Sequence, residues 1–298
     1  MDWGKAKRII VIMLIALNIA LFCINLYYDS DYRLSLSEKE SVSKILKQNG
    51  IDMYGELIDS YEPMKHLDVT VVSNDIDNLK SVFFDEFETV ETELEFDQAI
   101  LRSYSALLIS EDSRLSYSCP RGKGELNGVG KDAARRLADD FVEKIGYSNY
   151  TLDRITYKNG GYQLEYYEYY NGYKIFCNYC IFFIDDSGIK TIEAENYDIN
   201  GFVDESREIC ASSEAILTYI YDNRDAGDAG RSIEDIQIGY TLKESEQIVD
   251  GSKIRLVPCY YIYLLNADKP YVVYAYTNMA KAEETGSARI SEDSYILP

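Results

Sequence analysis

The chain has 298 residues, 51 of them acidic against 30 basic, and a formal net charge of −21. Such a charge repels nucleic acid and anionic membrane or wall polymer, while the length suffices for two modest domains with real cores. The single histidine removes metal sites built on several histidines.

The first 28 residues set the organisation. A basic tip, Lys5, Lys7 and Arg8, precedes twenty uncharged residues from Ile9 to Tyr28, and Asp29 and Asp31 follow. A helix of that length covers about 30 Å, the thickness of a bilayer's hydrocarbon core. The charge asymmetry predicts a cytoplasmic N-terminus and an extracellular remainder, with Trp3, Tyr27 and Tyr28 at the interfaces. A cleaved signal peptide is the rival, but no small residues precede a cut before Ser30. Bulky Phe22 ahead of Cys23 argues against a lipoprotein signal. The tip and span carry +2, leaving −23 for the rest.

Residues 37–50 read as a short helix, opened by Ser37 and Glu40 in capping-box spacing and closed by Gly50. A strand over 67–72 and a helix over 75–87 follow, then strands near 89–96, 103–110 and 114–119. The stretch 120–130, PRGKGELNGVG, reads as a linker. A helix over 131–145 places Ala134, Leu137, Ala138, Phe141, Val142 and Ile145 on one side, with acid–base pairs such as Arg135/Asp139 and Asp140/Lys144 on the other. Then comes the clearest β pattern: GYQLEYYEYY, Asn171-Gly172, YKIFCNYCIFFI, DDSG and IKTIEAENYDI, a meander with a tight first turn. A helix over 213–222 and strands over 233–242, 254–265 and 271–277 repeat the pattern, with Pro258 required at an edge or bulge.

The expected fold class is therefore α+β, a single N-terminal transmembrane helix followed by an extracellular region of repeated helix-plus-antiparallel-sheet units. The boundaries are a tip at 1–8, the span at 9–28, a first unit at 29–125 and a second region at 126–298, itself two helix-plus-meander repeats at 131–200 and 212–278. Each sheet would have one face against a helix and the other open to water or a partner.

Candidates for chemistry are few. His66 lies before a predicted strand in no motif, which favours a surface or strand-end role. Cys177 and Cys180 have redox spacing but fall in a strand, where residues three apart face opposite ways, so Cys177 reads as a buried apolar residue. Five cysteines outside the span leave at least one thiol unpaired. The acidic loop 222–235 misses the EF-hand order because Arg224 stands where a ligand belongs. No phosphate loop, nucleophile elbow or paired-carboxylate motif is present, so no catalytic, metal or cofactor-binding residues are assigned. The 28 tyrosines suit half-buried strands, with glycan or peptide binding on a tyrosine-lined sheet as the functional alternative.

Within the predicted span Asn18 and Asn25 lie seven apart and share a face with Val11, Leu14 and Phe22. An amide in hydrocarbon seeks a partner, so this face is the candidate contact with another helix. The opening MDWGKAKRIIVIMLIALNIAL resembles the start of the YycI family of two-component system regulators through Met1, Asp2, Trp3, Lys5, Lys7, Leu17 and Asn18. The later order of helix, hairpin, IGYTL and LVPCYYIYLL is similar to the outer domain of that family and of its sister YycH. The resemblance implies a single-pass, non-enzymatic membrane protein of a Gram-positive bacterium. Its partners would be a YycH-like protein and a WalK-type sensor histidine kinase of cell-wall homeostasis. The alternative is a membrane-tethered binding or assembly module for wall glycan or an exported protein.

Overall fold

The computed structural model describes residues 3–72, 74–84, 88–90, 98–102, 105–110, 113–124, 126, 130–224, 232–243, 251–265, 267 and 269–276. The described helices are α1 (Trp3–Asp31), α2 (Leu36–Gln48), α3 (Ile76–Phe83), α4 (Lys131–Lys144) and α5 (Ser212–Asp222). The strands in the first half are β1 (Met64–Val71), β2 (Glu88–Val90), β3 (Gln98–Arg102), β4 (Ser105–Ile109) and β5 (Arg114–Lys123). Those in the second are β6 (Tyr150–Lys158), β7 (Gly161–Tyr170), β8 (Tyr173–Asp185), β9 (Gly188–Glu195), β10 (Tyr197–Arg207), β11 (Ile233–Thr241), β12 (Lys253–Leu264) and β13 (Tyr271–Tyr274).

Two parts of the expected fold class are corrected. First, α1 forms, but among the described residues no helix is long and apolar enough to cross a membrane. The described side chains of its apolar stretch run from Ile10 to Phe22, interrupted by Asn18. The side chains of Lys5, Arg8, Asn25, Tyr27 and Tyr28 lie outside the described residues. Second, the strands do not form separate repeated sheets. They join in one 13-stranded mixed sheet of order β10-β1-β12-β11-β8-β9-β5-β4-β3-β2, with β13 beside β12 and the β6–β7 hairpin beside β8. Its pairs are antiparallel except β8 with β11.

Two apolar cores hold this sheet, and both use β8. Ile175 and Cys177, near its start, pack with α2, α5, β1 and β10 to β13; Leu67, Ile216, Leu256 and Ile262 there are wholly buried. Cys180, Phe182 and Ile184, further along, pack with α3, α4, β4, β5, β7 and β9. A register shift in the β7–β8 ladder, where Tyr167 opposes Tyr179 and Glu168 opposes Ile175, takes up the change between the two segments. The first core is thus built from residues before 72 and after 196, plus the start of β8, and the second from the chain between.

Local chemistry explains the element ends. Ser35, rather than Ser37, caps α2: its Oγ accepts from Glu38 N while Glu38 Oε2 accepts from Ser35 N at 2.7 Å. Asp75 caps α3, its Oδ1 accepting from Asn78 N at 3.0 Å. On α4, Ala134, Ala138, Phe141 and Val142 are buried, and Arg135–Asp139 and Lys144–Asp140 pair outside at 3.5 and 2.5 Å. Asn171 and Gly172 both take positive φ, 48° and 85°, the geometry of the tight hairpin turn between β7 and β8. The segment read as a linker begins as strand, since β5 runs on to Lys123. Pro258 lies inside β12, where the strand leaves β1 after Leu256 and takes up β13 at Cys259. The missing N–H therefore falls at a change of partner.

Candidate functional site

Two places stand out: the exposed length of α1, and a cluster of buried charge and aromatic rings where β8 meets β11. The second follows from the strand pattern. Alternation sends Ile236 and Tyr240 of β11, and Tyr260 and Ile262 of β12, into the first core. Asp235, Gln237, Tyr261 and Tyr263 therefore stand on the other side, with Lys174 and Phe176 of β8.

Lys174 sits at the parallel joint, opposite Gly239, and its side chain is only 4% exposed. Its ammonium donates to Asp153 Oδ2 at 2.9 Å, Gln237 Oε1 at 3.1 Å and Tyr263 OH at 3.5 Å. It also lies 3.7 Å from the centre of the Tyr167 ring and 5.4 Å from that of Phe176. Asp153 receives a second bond, from Tyr169 OH at 2.7 Å. Beside this pair Arg154 reaches Glu234 at 3.2 Å and covers the Tyr263 ring at 4.9 Å. Phe176 stacks on Tyr261 with centroids 3.6 Å apart. The β6–β7 hairpin is thereby bound to β11 and β12 across the joint.

The two partners titrate differently. Burial lowers the Lys174 pKa, and its bond to Asp153 only partly offsets this. Burial alone would raise Asp153, but the hydrogen bonds from Lys174 and Tyr169 and the nearby positive charges outweigh it, holding the carboxyl below its ordinary value. Each polar group has its partner within the cluster. The arrangement braces the joint.

The residues singled out from sequence fall elsewhere. His66 is inside β1 and buried, not at a surface or strand end, because the strand starts two residues before it. Its Nδ1 lies 3.5 Å from Asp204 Oδ2 without a hydrogen bond, and its ring is 5.0 Å from that of Tyr276. Burial, then the charge of Arg207, lowers its pKa against the pull of Asp204. Cys177 and Cys180 belong to different cores and are free thiols, as are Cys119, Cys210 and Cys259. Residues 225–231 of the acidic loop lie outside the described residues.

On α1, Val11, Leu14 and Phe22 are 50%, 59% and 65% exposed. The Asn18 Nδ2 donates to Leu14 O at 3.0 Å, so one amide hydrogen is satisfied within the helix. Lys7 and Trp3 are exposed near its start. The sequence reading missed the Lys174 cluster entirely. The one available signal was a lysine inside a run of apolar strand residues, YKIFC.

The thiols differ in a way that can be tested. Burial raises Cys177, Cys180 and Cys259 well above the ordinary thiol value, and Cys210 to about 12. Burial also raises Cys119, but donors from Ser105, Tyr117 and the backbone of Arg121 and Gly122 outweigh it and bring this thiol below its ordinary value. Among these five thiols of the folded protein iodoacetamide is expected to label Cys119 first, while Cys177, Cys180 and Cys259 require unfolding. Peptide mass spectrometry after timed quenching reads this directly, and equal rates at all sites would contradict the assignment.

No family model matches the chain, and no curated protein matches it. Among solved structures it is similar to an uncharacterized protein from Eubacterium rectale, at 11% identity and a TM-score of 0.51, covering 77% of this chain and 88% of that one. It overlaps the Bacillus subtilis YycH, at 12% identity and a TM-score of 0.45, over 71% of this chain and 54% of that one. It also overlaps the Bacillus megaterium YpeB C-terminal domain, at 10% identity and a TM-score of 0.34, over 70% and 95%. The latter two are weak likenesses and carry no argument; the first establishes a shared fold.

Proposed function

We propose that this chain is a non-enzymatic regulatory module at the outer side of the cell membrane, acting on a WalK-type sensor histidine kinase together with a YycH-like partner. The observation that carries the reading is α1: its large apolar side chains from Ile10 to Phe22 are 50–67% exposed. A largely apolar helix this exposed is covered in its working state, and the face bearing Val11, Leu14, Asn18 and Phe22 offers another helix both packing and an amide. The resemblance of the opening residues to those of YycI proteins supports a kinase as the other party.

A bound regulator shifts a kinase between signalling states only by preferring one of them. A preference of about 1.4 kcal/mol changes that ratio tenfold.

The test is site-specific photocrosslinking in the native cell from Asn18 and Val11, with Ile15 and Ile19 as comparison positions, and mass-spectrometric identification of what is captured. Capture of a sensor histidine kinase or a YycH-like protein from the asparagine face, and not from the comparison positions, is the expected result. Capture of neither at any position would remove α1 from the mechanism.

A further inference from the structure

We infer that the open face of strands β7, β8 and β9 is a docking surface for a basic amphipathic helix of another protein. On β8 the side chains of Cys180, Phe182 and Ile184 are fully buried in the second core, where α4 packs. Alternation places Tyr179, Ile181 and Phe183 on the opposite face, and all three are half-buried. They form a ridge of large apolar side chains with acidic flanks. The ladder puts Glu165 of β7 directly beside Ile181 on one side and Glu193 of β9 beside it on the other. Glu195 and Tyr167 stand beside Tyr179, and Gln163 and Thr191 flank Phe183.

The dimensions select a helix. Adjacent strands lie about 4.8 Å apart, so Glu165 and Glu193, on either side of the ridge, are roughly 10 Å apart, near the width of an α-helix with its side chains. The ridge from Tyr179 to Phe183 is about 13 Å long, some nine residues of helix. A helix with an apolar stripe on this ridge would point flanking Lys or Arg residues at Glu165 and Glu193. Within the chain Glu165 accepts from Gln163 Nε2 at 2.8 Å and feels the charges of Lys174 and of Arg154, which opposes it and is engaged by Glu234, while Arg114 opposes Glu195 and Glu193 is exposed. A second copy packed face to face would oppose carboxylate to carboxylate, so the surface suits a partner of opposite charge.

This deepens the proposed function by naming a surface and a partner chemistry, and it does not depend on α1. The probe is a fluorescent 18-residue Leu/Lys amphipathic helix titrated against the full chain, with a Leu/Glu helix of the same pattern as comparison. The Leu/Lys helix should bind and the Leu/Glu helix should not. Glu193→Lys and Glu165→Lys should each weaken binding about tenfold, while Glu143→Lys, an equal charge change at an exposed position on α4, should leave it unchanged. Ile181→Lys should abolish binding, with circular dichroism to establish its fold; if that variant does not fold, the glutamate variants decide. Equal loss from Glu143→Lys and Glu193→Lys would mean general attraction to an acidic protein and overturn the site. So would unaltered binding in the ridge variants, or sedimentation showing a dimer that Glu193→Lys dissociates, because the occupant would then be a second copy. Failure of the crosslinking from α1 leaves this result untouched, and the reverse holds too.

Discussion

Replacing Gly239 by alanine is expected to destabilise the protein by about 3 kcal/mol or more, at the upper end of what overpacking costs. A Cβ at this position would stand 2.2 Å from the Lys174 carbonyl oxygen and 2.7 Å from Phe176 Cε2. The first is backbone in the facing strand and cannot swing aside. Gly239 and Tyr240 make the recorded parallel pairs between β11 and β8, so the methyl group pries open the joint between the two halves of the sheet. Loss should therefore extend beyond stability to cooperativity. Urea unfolding followed by tyrosine fluorescence and by far-ultraviolet circular dichroism should give one coincident transition in the parent chain and two separated ones in Gly239→Ala. A single transition with an unchanged midpoint would mean the joint tolerates the added atom. Gly172 makes a useful comparison, because its φ of 85° demands glycine-like freedom while nothing lies within 4 Å of its added Cβ. Its alanine variant should cost only about 1 kcal/mol.

Removing the Asp153 carboxylate is expected to cost roughly 3 kcal/mol, because Lys174 is then left buried without its counter-charge. Lys174 is the buried member, with a side-chain exposure of 4% against 16% for Asp153, so the cost falls on the lysine. Replacing both, Asp153→Leu with Lys174→Met, should recover most of the loss, since apolar side chains of similar volume suit the surrounding rings. A double-mutant cycle in urea measures the coupling, and additive losses would show that the pair does not act as one unit. Linkage adds a pH signature with a definite sign. Asp153 has a depressed folded pKa, so its contribution is present above the ordinary aspartate value near 4 and is lost as pH falls through the folded value. Lys174 is also depressed, so the folded state releases its proton first, and its burial penalty eases as pH rises toward the ordinary lysine value near 10.4. Asp153→Asn should flatten the acid limb of the stability profile and start the alkaline rise at lower pH, because Lys174 loses the carboxylate that holds its pKa up against burial.

Sequence pattern carried the local elements well where two signals coincided. The β7–β8 hairpin had alternating strands and an Asn-Gly turn, and α4 had both an apolar stripe and charge pairs. Strand β6 went unread although a second Asn-Gly pair, Asn159-Gly160, closes its hairpin with β7; its exposed threonines, charges and tyrosines lack a clean alternation. The single continuous sheet was illegible for a different reason. Pairings such as Leu67 with Leu256, or Gly239 with Lys174, depend on which edges meet after folding, and nothing local to either strand encodes that choice. Lys174 was passed over for the same reason, since its partners come from β6, β11 and β12. The helix at the N-terminus was legible as a helix, whereas its passage through a bilayer was not sustained.

The placement of β1 between β10 and β12 sets an order of assembly. On a ribosome, α2 and β1 emerge early, yet β10 follows about 130 residues later and β12 about 190. The intervening stretch from α3 to β9 holds its own core and can close first, while β1 waits with Leu67, Val69 and both backbone edges uncovered. Synthesis thus leaves a newborn strand exposed for the time needed to translate half the protein. Chaperone capture during translation should therefore centre on the segment from Met64 to Val71 rather than on the more apolar β8, which finds β7 and β9 within a few residues on either side.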